Sequence, residues 1–234
     1  MAIPIRHELK YLLSEAQACA FHSVIKKVLK LDPNAAKNGG SYAIRSLYFD
    51  TIFDSALVDK LNGVANRQKY RIRLYNYKDD EIFLECKSKY ESLISKRSLK
   101  IPKSLALQLM AADPTHLEAT RSGLLQDVYR EMKHNFLHPV VIVDYDRVPY
   151  LHPVENIRIT LDSNLKTGLM STDLFDWNLP TVTPFNENYT VLEVKYDKIL
   201  PTYLQEILSQ TVPEACRSAV SKYTWCRRYE GKGV

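Results

Sequence analysis

The sequence predicts an α+β fold carried by about eight antiparallel strands. Short runs alternate charged and apolar residues, the period of a strand with one polar and one apolar face. Between them lie segments whose apolar residues recur at helical spacing. On most of the strand candidates the same-face positions are charged, often by lysine or arginine.

The first strand candidate, Ile5 to Leu12, sets Arg6, Glu8 and Lys10 against Ile5, His7 and Leu9. Ser14-Glu15-Ala16-Gln17 is a capping box that opens a helix through about Lys30, striped by Ala18, Phe21, Ile25, Val28 and Leu29. Asp32-Pro33 and Asn38-Gly39-Gly40 break the chain. Tyr42 to Asp50 reads as a strand with Ser46, Tyr48 and Asp50 on one face. A short helix follows from Asp54 to Leu61.

Lys69 to Lys89 is the most informative stretch. Lys69, Arg71 and Arg73 share one face, opposite Tyr70, Ile72 and Leu74. After the turn at Lys78-Asp79-Asp80, Ile82, Leu84 and Cys86 oppose Glu85, Lys87 and Lys89. Ser92 to Ile101, with Lys96-Arg97, is the next strand. Helices are predicted from Lys103 to about Ala112 and from Glu118 to Asn135. Pro139 to Val148, Ile157 to Leu161 and Tyr189 to Asp197 complete the strands; the last places Glu193, Lys195 and Asp197 together. Thr167 to Asn188 reads mostly as loop. Helices from Pro201 to Gln210 and from Glu214 to Tyr229 close the chain.

With 234 residues, 45% of them hydrophobic, the chain can bury a full core, and residues 1–234 are expected to form one domain. The net charge of +5 and pI near 8.9 are too mild for a generic nucleic-acid binder, and no nucleic-acid motif is present. Cys19, Cys86, Cys216 and Cys226 lack metal-ligand spacing, so reduced thiols in a cytoplasm are expected. No apolar run reaches the roughly 20 residues a membrane helix needs, which leaves a soluble chain as the expectation. His7, His134, His138 and His152 read as structural or surface residues.

Cations repeated on adjacent strands repel unless an anion lies among them. Two architectures satisfy the pattern. In an open antiparallel sheet the charged face meets water. In a closed barrel it lines a bore, and helices cover the apolar outer wall.

Arg6-x-Glu8-x-Lys10-Tyr11, Leu47-Tyr48-Phe49-Asp50-Thr51, Lys69-x-Arg71-Ile72-Arg73, Glu85-Cys86-Lys87, Lys96-Arg97, Tyr145-x-Arg147, Arg158-Ile159-Thr160-Leu161-Asp162, Glu193-Val194-Lys195 and Ser221-Lys222-Tyr223 occur in this order. Together they resemble the VTC domain, the polyphosphate polymerase module of the vacuolar transporter chaperone complex, within the CYTH or triphosphate tunnel metalloenzyme superfamily. The resemblance implies an eight-stranded antiparallel β-barrel tunnel with a polar, basic interior and helices packed outside. It also implies transfer of the γ-phosphoryl group of ATP to inorganic polyphosphate, with Mn²⁺ or Mg²⁺. Lys10, Arg71, Arg73, Lys87, Lys96, Arg147, Arg158 and Lys222 would hold phosphate, and Arg71, Arg73, Lys87, Arg147, Arg158 and Glu193 would act in the reaction. Glu193 would bind the metal, with Glu85 and Glu8 as further acidic contributors.

One departure bears on the reaction. Tunnel hydrolases usually carry two glutamates before the first lysine, and here Arg6 takes the first place, which suits a polymerase. The alternatives are triphosphate or nucleotide hydrolysis in the same tunnel and non-catalytic binding of polyphosphate or inositol phosphates. Phosphate partners include triphosphate and pyrophosphate. The phosphate-sensing and membrane segments that accompany the eukaryotic polymerase are absent from this sequence, although a membrane partner is compatible with the family.

Overall fold

Ser14 is at once the last residue of strand β1 (His7–Ser14) and the cap of helix α1 (Glu15–Val28). Its hydroxyl accepts from the Gln17 amide, and the Gln17 side chain accepts from the Ser14 amide at 2.9 Å, so two end-of-helix donors are satisfied reciprocally. The computed structural model describes residues 7–91, 93–153, 156–185, 187–219 and 221–232. Ile5 and Arg6 of the expected first strand, Ser92 at the start of the strand expected from Ser92 to Ile101, and Val220 of the expected last helix lie outside them.

After the two-residue strand β2 (Lys30–Leu31), a short helix α2 (Pro33–Lys37) forms where the sequence suggests only a break. Asp32 caps it through the Asn34 amide, and Pro33 occupies the first turn, where a missing N–H costs nothing. The chain continues through β3 (Tyr42–Asp50), α3 (Ser55–Leu61), β4 (Arg67–Tyr75), β5 (Lys78–Tyr90), β6 (Leu93–Ile101) and α4 (Lys103–Met110). It ends with α5 (Gly123–Asn135), β7 (His138–Leu151), β8 (Arg158–Thr167), β9 (Tyr189–Tyr196), α6 (Thr202–Thr211) and α7 (Lys222–Tyr229). The hydrogen-bonded strand order is β1-β9-β8-β7-β3-β4-β5-β6, with β2 beside β7. The class is therefore the expected α+β, with eight long strands in one sheet.

The residues group into two compact units, and β3, β7 and β8 each have residues in both. The first unit extends through Ala43 and includes Tyr145–Leu165 and Phe185–Ser221. Its core packs Phe21, Ile25 and Leu29 of α1 and Leu204 and Leu208 of α6 onto Ile159, Leu161, Leu192 and Val194 of β8 and β9. The second unit holds Ile44–Asp144, Lys166–Pro184 and the chain from Lys222. Here Leu47, Phe49, Tyr70, Ile72, Leu74, Ile82, Leu84 and Cys86 form the apolar strand face, covered by Ala106 and Leu109 of α4 and Leu124, Val128 and Met132 of α5. These are the apolar sets read from strand alternation.

Several boundaries differ from expectation: the β4–β5 turn falls at Asn76-Tyr77, both with positive φ, rather than at Lys78-Asp79-Asp80, which begins β5, and β8 runs to Thr167 rather than Leu161. Two helices differ as well. Helix α5 begins at Gly123 rather than at Glu118, because Pro114 starts a tight turn that buries Leu117 and leaves Thr120 O to accept from Gln126. The last helix is broken. Glu214–Cys216 is a single 3₁₀ turn, after which Arg217 bridges Tyr11 and the Ser218 amide donates to Lys10 O at 2.9 Å. The open edge of β1 recruits this backbone, so a new helix starts only at Lys222. No helix among the described residues is long and apolar enough to cross a membrane.

Candidate active site

The polar strand faces carry a charged cluster in each unit. In the second unit the registers align Lys69 with Lys87 and Lys87 with Lys96, a row of three lysines on adjacent strands. One step along, Arg71 stands opposite Glu85, and Arg73 follows on the same face. Glu85 is 2% exposed and is the hub: Arg71 donates to its Oε2 from Nε at 2.8 Å and from a terminal nitrogen at 2.7 Å. Lys96 Nζ reaches Oε1 at 2.7 Å, and Arg73 lies 3.6 Å from Oε2. Burial by itself would raise the Glu85 carboxyl, but Arg71, Arg73 and Lys96 hold it well below the usual carboxylate range.

Other contacts set the arginines at fixed angles. Arg71 also donates to Tyr48 Oη at 2.8 Å, and Arg73 to Ser46 Oγ at 3.2 Å, both across from β3. Lys222, at the start of α7, is buried in the same unit. Lys69, Arg71, Arg73, Lys87 and Lys96 thus gather on one polar face around Glu85, while Asp50 is taken up by the amides of Thr51, Ala56 and Leu57. Fixed cations on neighbouring strands are groups that oxyanions bind. Arg97, next to Lys96, points the other way and pairs with Asp127 of α5 at 2.5 Å.

In the first unit the charges alternate across strands. Glu8 faces Lys195, which faces Arg158; Lys10 faces Glu193, which faces Thr160. Lys10 Nζ lies 3.0 Å from Glu8 and 3.3 Å from Glu193 Oε1. Glu193 Oε2 receives Lys195 at 2.8 Å and has Arg147 at 3.9 Å. Burial alone would lower the Lys10 ammonium, yet Glu193 and Glu8 raise it well above the ordinary lysine range. Arg147 is held by a fork to Asp162, 2.6 Å on both arms, and burial is outweighed there by that carboxylate.

Arg158 donates to Tyr42 Oη at 2.8 Å and lies 3.3 Å from Asp32. Its Nε and the Thr160 hydroxyl are buried polar atoms without a hydrogen-bond partner. Both belong to β8, and Thr160 is the register partner of Glu193. Two orphaned polar groups beside a carboxylate fit a site that receives an oxygen-rich group.

The structure places Glu8, Lys10, Arg147, Arg158 and Glu193 together in the first unit and Arg71, Arg73, Glu85, Lys87, Lys96 and Lys222 in the second. Asp50, Asp162 and Tyr223 stand in the sequence motifs without a role, and Asp32 and Tyr42 have none in the sequence either. Asp32 had only the signal of a chain break, since its partner Arg158 is 126 positions away. Among the described residues no group of three or more His, Cys, Asp or Glu is gathered for a metal. A divalent cation that takes most of its ligands from phosphates and water needs only one or two carboxylates, and Glu8 with Glu193 meets that donor set.

No curated protein sequence matches the chain. Among solved structures, a candidate adenylate cyclase from Bacillus halodurans shares 15% identity over 94% of this chain and 96% of its own, with a TM-score of 0.54. The PH1819 protein of Pyrococcus horikoshii OT3 shares 11% over 94% and 96%, with a TM-score of 0.48. The Mimivirus capping enzyme triphosphatase shares 13% over 89% and 88%, with a TM-score of 0.39. The likeness to the Bacillus protein is one of fold. The VTC domain model matches residues 5–229, nearly the full length, and the chain accordingly belongs to the VTC domain family.

Proposed function

We propose that residues 1–234 act as one module, a polyphosphate polymerase that transfers the γ-phosphoryl group of ATP to inorganic polyphosphate. The observation that carries the reading is the lysine row Lys69, Lys87 and Lys96 beside the arginine forks of Arg71 and Arg73. Arginine forks and lysine point charges grip successive phosphates without reading a base or sugar. In the first unit, Lys10, Arg147 and Arg158 offer a second set of phosphate donors around Glu193.

In the reaction, a terminal oxygen of the acceptor phosphate forms a bond to the γ-phosphorus as the bond to the β,γ-bridging oxygen breaks. ADP leaves with that electron pair. The attacking oxygen is already anionic, so positioning and charge neutralisation do most of the work. Mg²⁺ or Mn²⁺, when bound, supplies further neutralisation of the phosphate oxygens. Glu193 would hold it, with Glu8 and Glu85 as further carboxylates; Glu85 also orders the cations Arg71 and Lys96.

The test is incubation of the purified chain with ATP and Mn²⁺, with and without a short polyphosphate primer, resolving ADP, orthophosphate and polymer. Polymer with ADP is expected. Orthophosphate without polymer would make it a hydrolase, and binding without ADP release a phosphate-binding module. Glu193→Gln is expected to abolish the metal-stimulated turnover while the chain still melts cooperatively; retained stimulation would remove its assigned role.

A further inference from the structure

Tyr223 is the second residue of α7, and its side chain is among the largest that are fully buried. Its phenol donates to Asp50 Oδ2, and Asp50 is itself immobilised: Oδ1 accepts from the amides of Thr51 and Ala56 at 2.8 Å each, and Oδ2 from Leu57 at 3.1 Å. Asp50 therefore closes the first turn of α3, whose own cap position, Asp54, has a left-handed backbone and makes no side-chain cap. The Tyr223 ring is fixed at one end by a carboxylate that cannot move.

That ring makes two further contacts. Tyr48 packs on it, ring centroids 5.1 Å apart, and Tyr48 Oη accepts from Arg71 at 2.8 Å. Lys69 Nζ sits 4.5 Å from the Tyr223 ring centroid. Arg71 and Lys69 begin the two rows of cations described above. At the other end of α7, Arg227 pairs with Asp54, so the helix is fastened to the β3–α3 corner at both Tyr223 and Arg227.

We propose that Tyr223 is a positioning residue for the phosphate-binding cations, setting Lys69 directly and Arg71 through Tyr48, with Asp50 as its anchor. The inference rests on the phosphoryl-transfer reading above and assigns α7 a part in it beyond Lys222. Phenylalanine would keep the ring and lose the anchor; leucine would lose both. Burial and the Asp50 charge keep the phenol protonated at ordinary pH, as a donor to Asp50 must be.

The experiment measures inorganic tripolyphosphate binding by calorimetry, and Km and kcat for ATP with Mn²⁺ and primer, on the full chain and on Tyr223→Phe and Tyr223→Leu. Leu204→Ala, in the core of the first unit, serves as a control that lowers the melting temperature without touching α7. Affinity is expected to fall about threefold in Tyr223→Phe and about tenfold or more in Tyr223→Leu, with Km rising accordingly. Leu204→Ala is expected to keep its affinity despite an equal or larger drop in melting temperature. If Tyr223→Leu binds as tightly as the parent chain, or both variants lose affinity only in proportion to lost stability, the positioning role is overturned and the phosphoryl reading stands. A parent chain that binds no tripolyphosphate overturns both.

Discussion

Arg71 and Glu85 are register partners on β4 and β5, and the arginine holds one carboxylate oxygen with two nitrogens, at 2.8 and 2.7 Å. Arg73 and Lys96 share that carboxylate, so Glu85 holds three cations together. Glu85→Gln is expected to destabilise the chain by about 3 kcal/mol at pH 7, since buried cations lose their counter-charge. Its folded-state carboxyl is depressed, so its contribution is present above the unfolded value near 4.3 and is lost as pH falls toward the folded one. Urea unfolding between pH 7 and pH 3 should show the gap between parent and variant narrowing below about pH 4.3.

Lys10 predicts the opposite limb. Its ammonium is raised by Glu193 and Glu8 against the effect of burial, so its contribution is complete below the unfolded value near 10.4 and fades as pH climbs toward the folded one. Lys10→Met should cost about 3 kcal/mol at pH 8, leaving Glu8 and Glu193 without the cation between them. The difference from the parent chain should shrink between about pH 10.5 and pH 12.

Arg71→Ala and Arg158→Ala each remove a charged donor from a polar strand face while leaving the apolar face intact. Tripolyphosphate affinity should drop roughly tenfold to a hundredfold in each, the worth of one or two charge-assisted hydrogen bonds. Far-ultraviolet circular dichroism should be unchanged. Unaltered affinity in both would remove the polar faces as the phosphate site.

Arg45 provides the counterexample among buried arginines. It lies on the apolar face of β3, forked to Asp144 at 2.8 to 3.1 Å and bonded to Asp176 O at 2.5 Å. Arg45→Met should destabilise by about 3 to 5 kcal/mol, because Asp144 is left buried without its partner. Tripolyphosphate affinity of the folded fraction should stay at the parent level, separating a stabilising arginine from the phosphate-facing ones.

The alternation rule read most of this protein correctly. Lys69, Arg71 and Arg73 do share a face, and Tyr70, Ile72 and Leu74 do enter the core, because a two-residue period survives wherever one face is buried. Arg45 and Ser46 show the rule's limit: adjacent in β3, both are buried, one in a stabilising ion pair and one beside Arg73. Alternation gives the face but not the partner.

The capping box at Ser14, the strand Tyr42–Asp50 and the inward apolar stripes follow from local chemistry, and the sequence by itself determined them. The partners of the charges were decided by tertiary structure alone: Asp162 for Arg147, Asp32 and Tyr42 for Arg158, Asp50 for Tyr223. So was the break after Cys216, where the free edge of β1 claimed backbone that helical periodicity had assigned to α7. The physical reason is the same in each case. Strand and helix periods act over a few residues, whereas a buried charge or an open strand edge is satisfied by whatever the folded chain brings within about 3 Å, however distant in sequence.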